Sequence, residues 1–286
     1  MKTQWFVVGV IGLVMVGWCG VSHADVLSIH DIQYYTSDGD ASIYDGETHH
    51  VTSGIVTHIW HGFNDRVYLQ DPDHPTWGAI VVKDAEDGEL SNNVSVGDEV
   101  SFEHIYIQEY RGTTFLQYRR SLSENVAFTV ESSGNPVPPP TMLTAADVEA
   151  PIYDDDPVTG GWFVENHNAE PYESALVTLE NLTVEEMDHG KAHDNYQLLQ
   201  GDDRAWAADY MQDLPPGFDY DPRIMIGAEL ESVTGIVEQY TKSYDTPPSW
   251  DYYQVCTRFP EDIVPEPATI TLLAAGLLLV ARRRLS

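Results

Sequence analysis

The chain carries one segment twice. Val96-Gly-Asp-Glu-Val-Ser-Phe-Glu-His-Ile-Tyr-Ile-Gln-Glu-Tyr110 is matched 130 positions on by Ile226-Gly-Ala-Glu-Leu-Glu-Ser-Val-Thr-Gly-Ile-Val-Glu-Gln-Tyr240. The same offset carries Leu69-Gln70 onto Leu199-Gln200, and upstream the match drifts by the few residues that loop insertions produce. A repeat of this length demands two similar domains rather than a solenoid of short units. Between the copies stands Gly134-Asn-Pro-Val-Pro-Pro-Pro140, which cannot join a sheet ladder and favours an extended polyproline form. It sets the boundary between a first domain at 25–133 and a second at 141–263, with 134–140 as linker.

Each copy reads as β structure. In the first, Val51 to Trp60, Arg66 to Gln70, Ala79 to Lys83, Glu99 to Tyr110 and Thr113 to Tyr118 are runs of β-branched and aromatic residues bounded by turn residues. Along Glu99 to Tyr110 the apolar phase passes from Val100 and Phe102 to Ile105 and Ile107, which predicts a bulge near His104. Five strands with one long and bent predict an all-β chain of two small closed Greek-key barrels of the OB type. Ahead of the second, Thr144-Ala-Ala-Asp-Val-Glu-Ala150 reads as a short helix capped by Thr144.

The ends are of a different kind. Lys2, an apolar stretch from Trp5 to Val21 and the small residues of Ser22-His23-Ala24 read as a secretory signal peptide over 1–24, with an uncleaved anchor helix as the alternative. At the other end Val264-Pro-Glu-Pro-Ala268 leads into 14 uncharged residues, 268–281, and then Arg282, Arg283 and Arg284. As a transmembrane helix this run is about 21 Å long at ~1.5 Å per residue, against a hydrocarbon core of roughly 30 Å. The arginines resist transfer and stay cytoplasmic, so the domains face outward and the membrane holds the tail at least transiently.

Two resemblances follow from these residues. The tail at 264–286 resembles the PEP-CTERM sorting signal of Gram-negative bacteria that make exopolysaccharide. This implies processing by signal peptidase and an exosortase, with Pro265, Glu266, Pro267 and the three arginines read by the processing enzyme. It also implies export to the cell envelope, outer surface or biofilm matrix; an ordinary tail anchor is the alternative. The body resembles the OB-fold domains that accompany bacterial extracellular nucleases, through Tyr44-Asp-Gly46, Tyr68-Leu-Gln-Asp-Pro72, Val96 to Val100 and Glu109-Tyr-Arg-Gly112 in the first copy. Tyr172-Glu173, Ala175 to Val184 and Asn195 to Leu199 carry it in the second. The chain stops after the second barrel and its tail, without the catalytic domain of such enzymes, so a non-enzymatic role is expected.

Charge narrows the partners. The chain has 14 Lys and Arg against 46 Asp and Glu, a net −32, and without its two ends the body carries 10 against 45, or −35. A body so acidic repels polyanions unless divalent cations bridge them, which disfavours nucleic acid. Its 11% of aromatic residues nonetheless argue for packed cores rather than disorder. The OB ligand face lies over strands 2 and 3, where stacking rings serve oligonucleotides or oligosaccharides. Tyr68, Trp77, Tyr106 and Tyr110 are the candidate platform, with Phe115, and Trp206 and Tyr240 in the second copy. A matrix glycan, taken as neutral, or another protein is the expected partner. A nucleic-acid-binding accessory is the second reading and a hydrolase the third.

No cofactor is expected, with calcium as the one candidate. Asp38, Asp40 and Asp45 gather loop carboxylates of the kind calcium takes, but no EF-hand pattern surrounds them. His58-x-x-His61 and His189-x-x-x-His193 read as loop histidines rather than a zinc site. Cys256, the only cysteine left once Cys19 departs with the signal peptide, reads as a buried inert thiol.

Overall fold

Alternating apolar residues with β-branched side chains favour extended backbone, and five such runs in each copy form strands in the computed structural model. It describes residues 26–34, 41–62, 64–84, 88–122, 125–154, 161–187, 195–214, 220–242 and 250–267. The signal peptide, the apolar run 268–281, Arg282 to Arg284, Asp38, Asp40, His189 and His193 lie outside the described residues.

The first barrel comprises β1 (Thr48–Trp60), β2 (Arg66–Gln70), β3 (Ala79–Asp84), β4 (Glu99–Tyr110) and β5 (Thr113–Tyr118). β1, β2 and β3 pair antiparallel in sequence; β3 then pairs parallel with β5, from Val81↔Phe115 to Asp84↔Tyr118. β5 runs antiparallel to β4, and β4 returns to β1 to close the ring. The second barrel repeats this order with β6 (Leu176–Met187), β7 (Asn195–Gln200), β8 (Asp203–Ala208), β9 (Glu229–Lys242) and β10 (Trp250–Cys256). Here β8 and β10 form the parallel pair and β9 with β6 closes the ring. Five strands in the circular order 1-2-3-5-4 make an OB-type barrel, and the chain holds two.

The expected irregularity in β4 is present. His49 opposes Ile105 while Val51 opposes Phe102, so Glu103 and His104 face the single residue His50, and His104 takes a φ of 53°. The extra residue puts Val100 and Phe102 on one side of the bend and Ile105 and Ile107 on the other into the same core.

The repeat also reaches further upstream than the offset of 130 reveals. Val26-Leu-Ser-Ile-His-Asp-Ile32 and Met142-Leu-Thr-Ala-Ala-Asp-Val148 lie 116 positions apart. Each ends a short strand that pairs parallel with the first barrel strand, and each then starts a helix. Helices α1 (Ile29–Gln33) and α2 (Ala145–Val148) carry the same capping box, Ser28 with Asp31 and Thr144 with Asp147. Backbone bonds repeat too: Gly46 donates to Ile107 and Ile107 to Glu47, as Ser174 does to Val237 and Val237 to Ala175.

The linker residues 135–140 join no sheet ladder, yet Asn135 donates to Gly97 O from its backbone and from Nδ2. Each barrel has its own apolar core. A third apolar cluster lies between them, formed by Tyr68, Val81 and Phe115 of the first barrel with Leu176, Ala208, Met211, Ile236 and Cys256 of the second. Among the described residues no helix is long and apolar enough to cross a membrane.

Candidate ligand cleft between the barrels

The loops that join β1 to β2 and β4 to β5 open toward the second barrel and frame a cleft of about 460 Å³. The first barrel contributes Trp60, Arg66, Lys83, Tyr110, Arg111 and Phe115; the second contributes Tyr210, Glu238, Tyr240 and Gln254. These first-barrel residues sit on the strands and loops where an OB barrel presents its ligand face.

Three cations meet in the cleft. The Arg66 guanidinium lies 5.1 Å from the Trp60 ring and 5.7 Å from Phe115, and its Nη1 donates to Glu238 Oε1 at 2.5 Å. Burial is the largest influence and opposes the Arg66 charge, but Glu238, Tyr68 and Cys256 together outweigh it and raise the pKa. Arg111 lies between Tyr110 and Tyr240, 5.2 Å from each ring, and donates from Nη1 to Tyr240 Oη at 2.7 Å. The Lys83 ammonium stands 5.8 Å from the Tyr110 ring. Burial lowers the Lys83 pKa, and the guanidiniums of Arg119, Arg66 and Arg111 lower it further. The acid that lines the cleft, Glu238, is taken by Arg66, by the Tyr68 hydroxyl at 2.5 Å and by the Cys256 thiol at 3.9 Å. The cleft is a cationic, ring-lined spot on a chain of net charge −32.

An edge-to-face pair, Trp60 and Tyr210 with centroids 5.5 Å apart, separates this cleft from a second of about 340 Å³ lined by His58, His61, Arg258 and Phe259. His58 is buried, stacks on Tyr68 at 6.0 Å, and has no hydrogen-bond partner at either ring nitrogen among the described residues. Burial, aided by Arg258, pushes its pKa down to about 4, so it is neutral at ordinary pH.

Of the expected platform, Tyr110 reaches the cleft and is exposed there. Tyr68 is corrected: it is wholly buried between the barrels, because the outward face of β2 is covered by the second barrel. Trp77 is half-buried beside the junction, its ring edge-on to Tyr34 at 5.8 Å and its backbone N–H donating to Pro171 O. Tyr106 is half-buried on β4 and does not line the cleft. Phe115 and Tyr240 line it, whereas Trp206 is fully buried in the second core against Tyr252. Lys83, Arg66 and Arg111 form the positive part of the site, and the scarcity of basic residues is the signal that marks them.

Asp45 is used structurally, accepting from Glu109 N at 2.7 Å. Among the described residues no group of three or more His, Cys, Asp and Glu side chains is gathered for a metal ion. Cys256 is buried as expected, and burial pushes its thiol pKa up.

The chain's likeness to solved structures is remote. The OB domain of MM0293 from Methanosarcina mazei is 14% identical over 32% of this chain and 80% of its own, with a TM-score of 0.25. A murine DNA-binding protein bound to double-stranded DNA is 8% identical over 73% of this chain and 93% of its own, at 0.32. A replication protein A heterotrimer bound to single-stranded DNA is 8% identical over 91% of this chain and 72% of its own, at 0.26. No curated protein matches in sequence. Residues 264–284 match the PEP-CTERM protein-sorting motif, so the chain carries the signal of an exosortase-sorted protein exported to the cell envelope of a Gram-negative bacterium.

Proposed function

We propose that this chain is a non-enzymatic binding protein of the cell surface or extracellular matrix, and that its ligand enters the cleft between the barrels. The observation that carries the reading is the placement of Lys83 and Arg111 around the exposed Tyr110 ring, 5.8 and 5.2 Å from its centroid. A face of rings takes the apolar face of a sugar, and two cations beyond the Arg66–Glu238 pair take a carboxylate or sulfate. The ligand this favours is an acidic glycan rather than the neutral one that net charge alone would choose. Charges spaced a sugar or more apart suit a cationic spot confined to one cleft. A nucleic-acid strand, charged at every nucleotide, asks for a basic track along the barrel.

The same rings and cations support the second reading, an accessory that binds single-stranded nucleic acid. Titration calorimetry with a uronate oligosaccharide, its carboxyl-reduced counterpart and a single-stranded DNA oligomer separates the two. Heat with the uronate alone is the expected result. Strong DNA binding with a steep salt dependence replaces the first reading with the second, and silence from all three removes the cleft as the ligand site.

A further inference from the structure

The sorting motif begins inside the folded body. The motif match opens at residue 264, yet Ile263–Pro265 is a strand of the second barrel, antiparallel to β9. Val233 opposes Ile263, Ser232 opposes Val264 and Leu230 opposes Pro265. The ladder reaches into the Pro-Glu-Pro itself, where Glu266 N donates to Glu229 O at 3.0 Å.

Several groups hold this strand. Ile263 is 1% exposed and belongs to the second core. Arg223 Nη1 donates to Ile263 O at 3.0 Å, and its Nε and Nη2 are bound by Asp221. Immediately before the strand, Asp262 accepts from the backbone and side chain of Arg258. Pro265 suits the position, since a strand at a sheet edge tolerates a residue without an N–H. Removing Val264 to Glu266 would bare β9 and leave the Glu229 carbonyl without this donor.

We infer that the peptide bond broken in processing lies C-terminal to Glu266, and that the mature protein keeps Ile263 to Glu266 as the edge strand paired with β9 of its second barrel. This rests on the reading that the tail is processed. In that step the acyl carbon on the N-terminal side of the bond passes to water or a primary amine. The severed nitrogen takes a proton and leaves with the tail as a free amine. A peptide laddered into a sheet cannot lie extended in a processing enzyme's cleft, so the bond available in the folded protein is one past the ladder.

The test is the intact mass of the full-length protein expressed in its own host and purified from the envelope, with sequencing of the C-terminal peptide that starts near Phe259. A mature terminus at Glu266 or beyond, without the three arginines, is expected, together with slow hydrogen exchange across Ile263 to Glu266. A terminus at Pro265 or earlier overturns the inference and leaves processing intact. A mass that retains the arginines overturns processing itself, and with it the inference. Rapid exchange across the strand removes its structural ground even where the terminus is as expected.

Discussion

Arg66 of the first barrel and Glu238 of the second meet at 2.5 Å, although 172 positions separate them. Tyr68 donates to the same carboxylate oxygen. A charge set between two domains joins them only if it is satisfied on all sides, because a buried ion stripped of its partner costs about 3–5 kcal/mol. Glu238→Ala is therefore expected to destabilise the protein by about 3 kcal/mol, with Glu238→Gln milder because the amide oxygen still accepts. Urea unfolding followed by fluorescence checks this. The wild type is expected to unfold in one transition and the alanine variant in two, as the barrels uncouple; an unchanged single transition would show that the apolar cluster alone joins them.

The junction is also expected to respond to pH. Burial, then Asp45, raises the Glu109 carboxyl from 4.5 to about 7, against the Thr114 hydroxyl that bonds it. Glu173, which accepts Thr114 N across the junction, is raised as well, by burial first and then by Glu170 and Glu109. A carboxyl raised on folding binds more protons in the native state than in the unfolded one. Its contribution is complete below the unfolded pKa and is lost as pH climbs through the folded one. Stability is expected to fall between pH 5 and pH 8, by on the order of 2–3 kcal/mol for Glu109 at about 1.4 per unit. The general self-repulsion of so acidic a body slopes the same way, so the decisive quantity is the difference made by Glu109→Gln. A urea midpoint that falls as steeply in that variant as in the wild type refutes the assignment.

Lys83 separates binding from stability. Its ammonium is disfavoured by burial and by Arg119, Arg66 and Arg111. Lys83→Met keeps the stem against Tyr110 and removes the charge. The folded state is expected to be unharmed or slightly more stable, while affinity for an acidic oligosaccharide drops about tenfold, the effect of ~1.4 kcal/mol. Thermal unfolding and calorimetry on the same sample check both halves. Lower stability with unchanged affinity would make Lys83 a structural residue and count against the cleft as an anion site.

Much of the fold was legible because barrel strands are local objects. Arg66 to Gln70, Glu99 to Tyr110 and Thr113 to Tyr118 have the bounds their apolar patterns predict, and the bulge at His104 follows from a phase change readable in the sequence. The Thr144 cap was equally local. The junction was not. Period-two alternation places Val67 and Leu69 on one face of β2 and Tyr68 on the other, and an outward tyrosine reads as a ligand platform. Only the docked second barrel buries it, and no spacing in the sequence reports a contact that distant. Glu238 was hidden for a simpler reason, as one acid among 46. The motif at 264 read as a detachable tail because its composition changes there, whereas the β9 ladder continues across that composition boundary, through a register shift between Leu230 and Ser232.

Two glycines in the strands test how tightly each barrel is wound. A Cβ added at Gly235, in β9, would sit 2.5 Å from the Cys256 carbonyl oxygen and 2.7 Å from its carbon. Both are backbone atoms of the neighbouring strand β10, which cannot step aside without opening the ring. A Cβ added at Gly54, in β1, would meet Ile29 Cδ1 at 2.7 Å and Leu69 Cβ at 3.2 Å. The closer of these is the far end of a flexible side chain, free to change rotamer. Overpacking that forces backbone to move lies at or beyond the upper end of the usual 1–3 kcal/mol, and overpacking that moves a side chain tip at the lower end. Gly235→Ala is thus expected to cost about 3 kcal/mol or more and Gly54→Ala about 1 kcal/mol. Equal losses in melting temperature for the two variants would mean that β9 and β10 can part at this point, and that the second barrel is less tightly closed than its ladders imply.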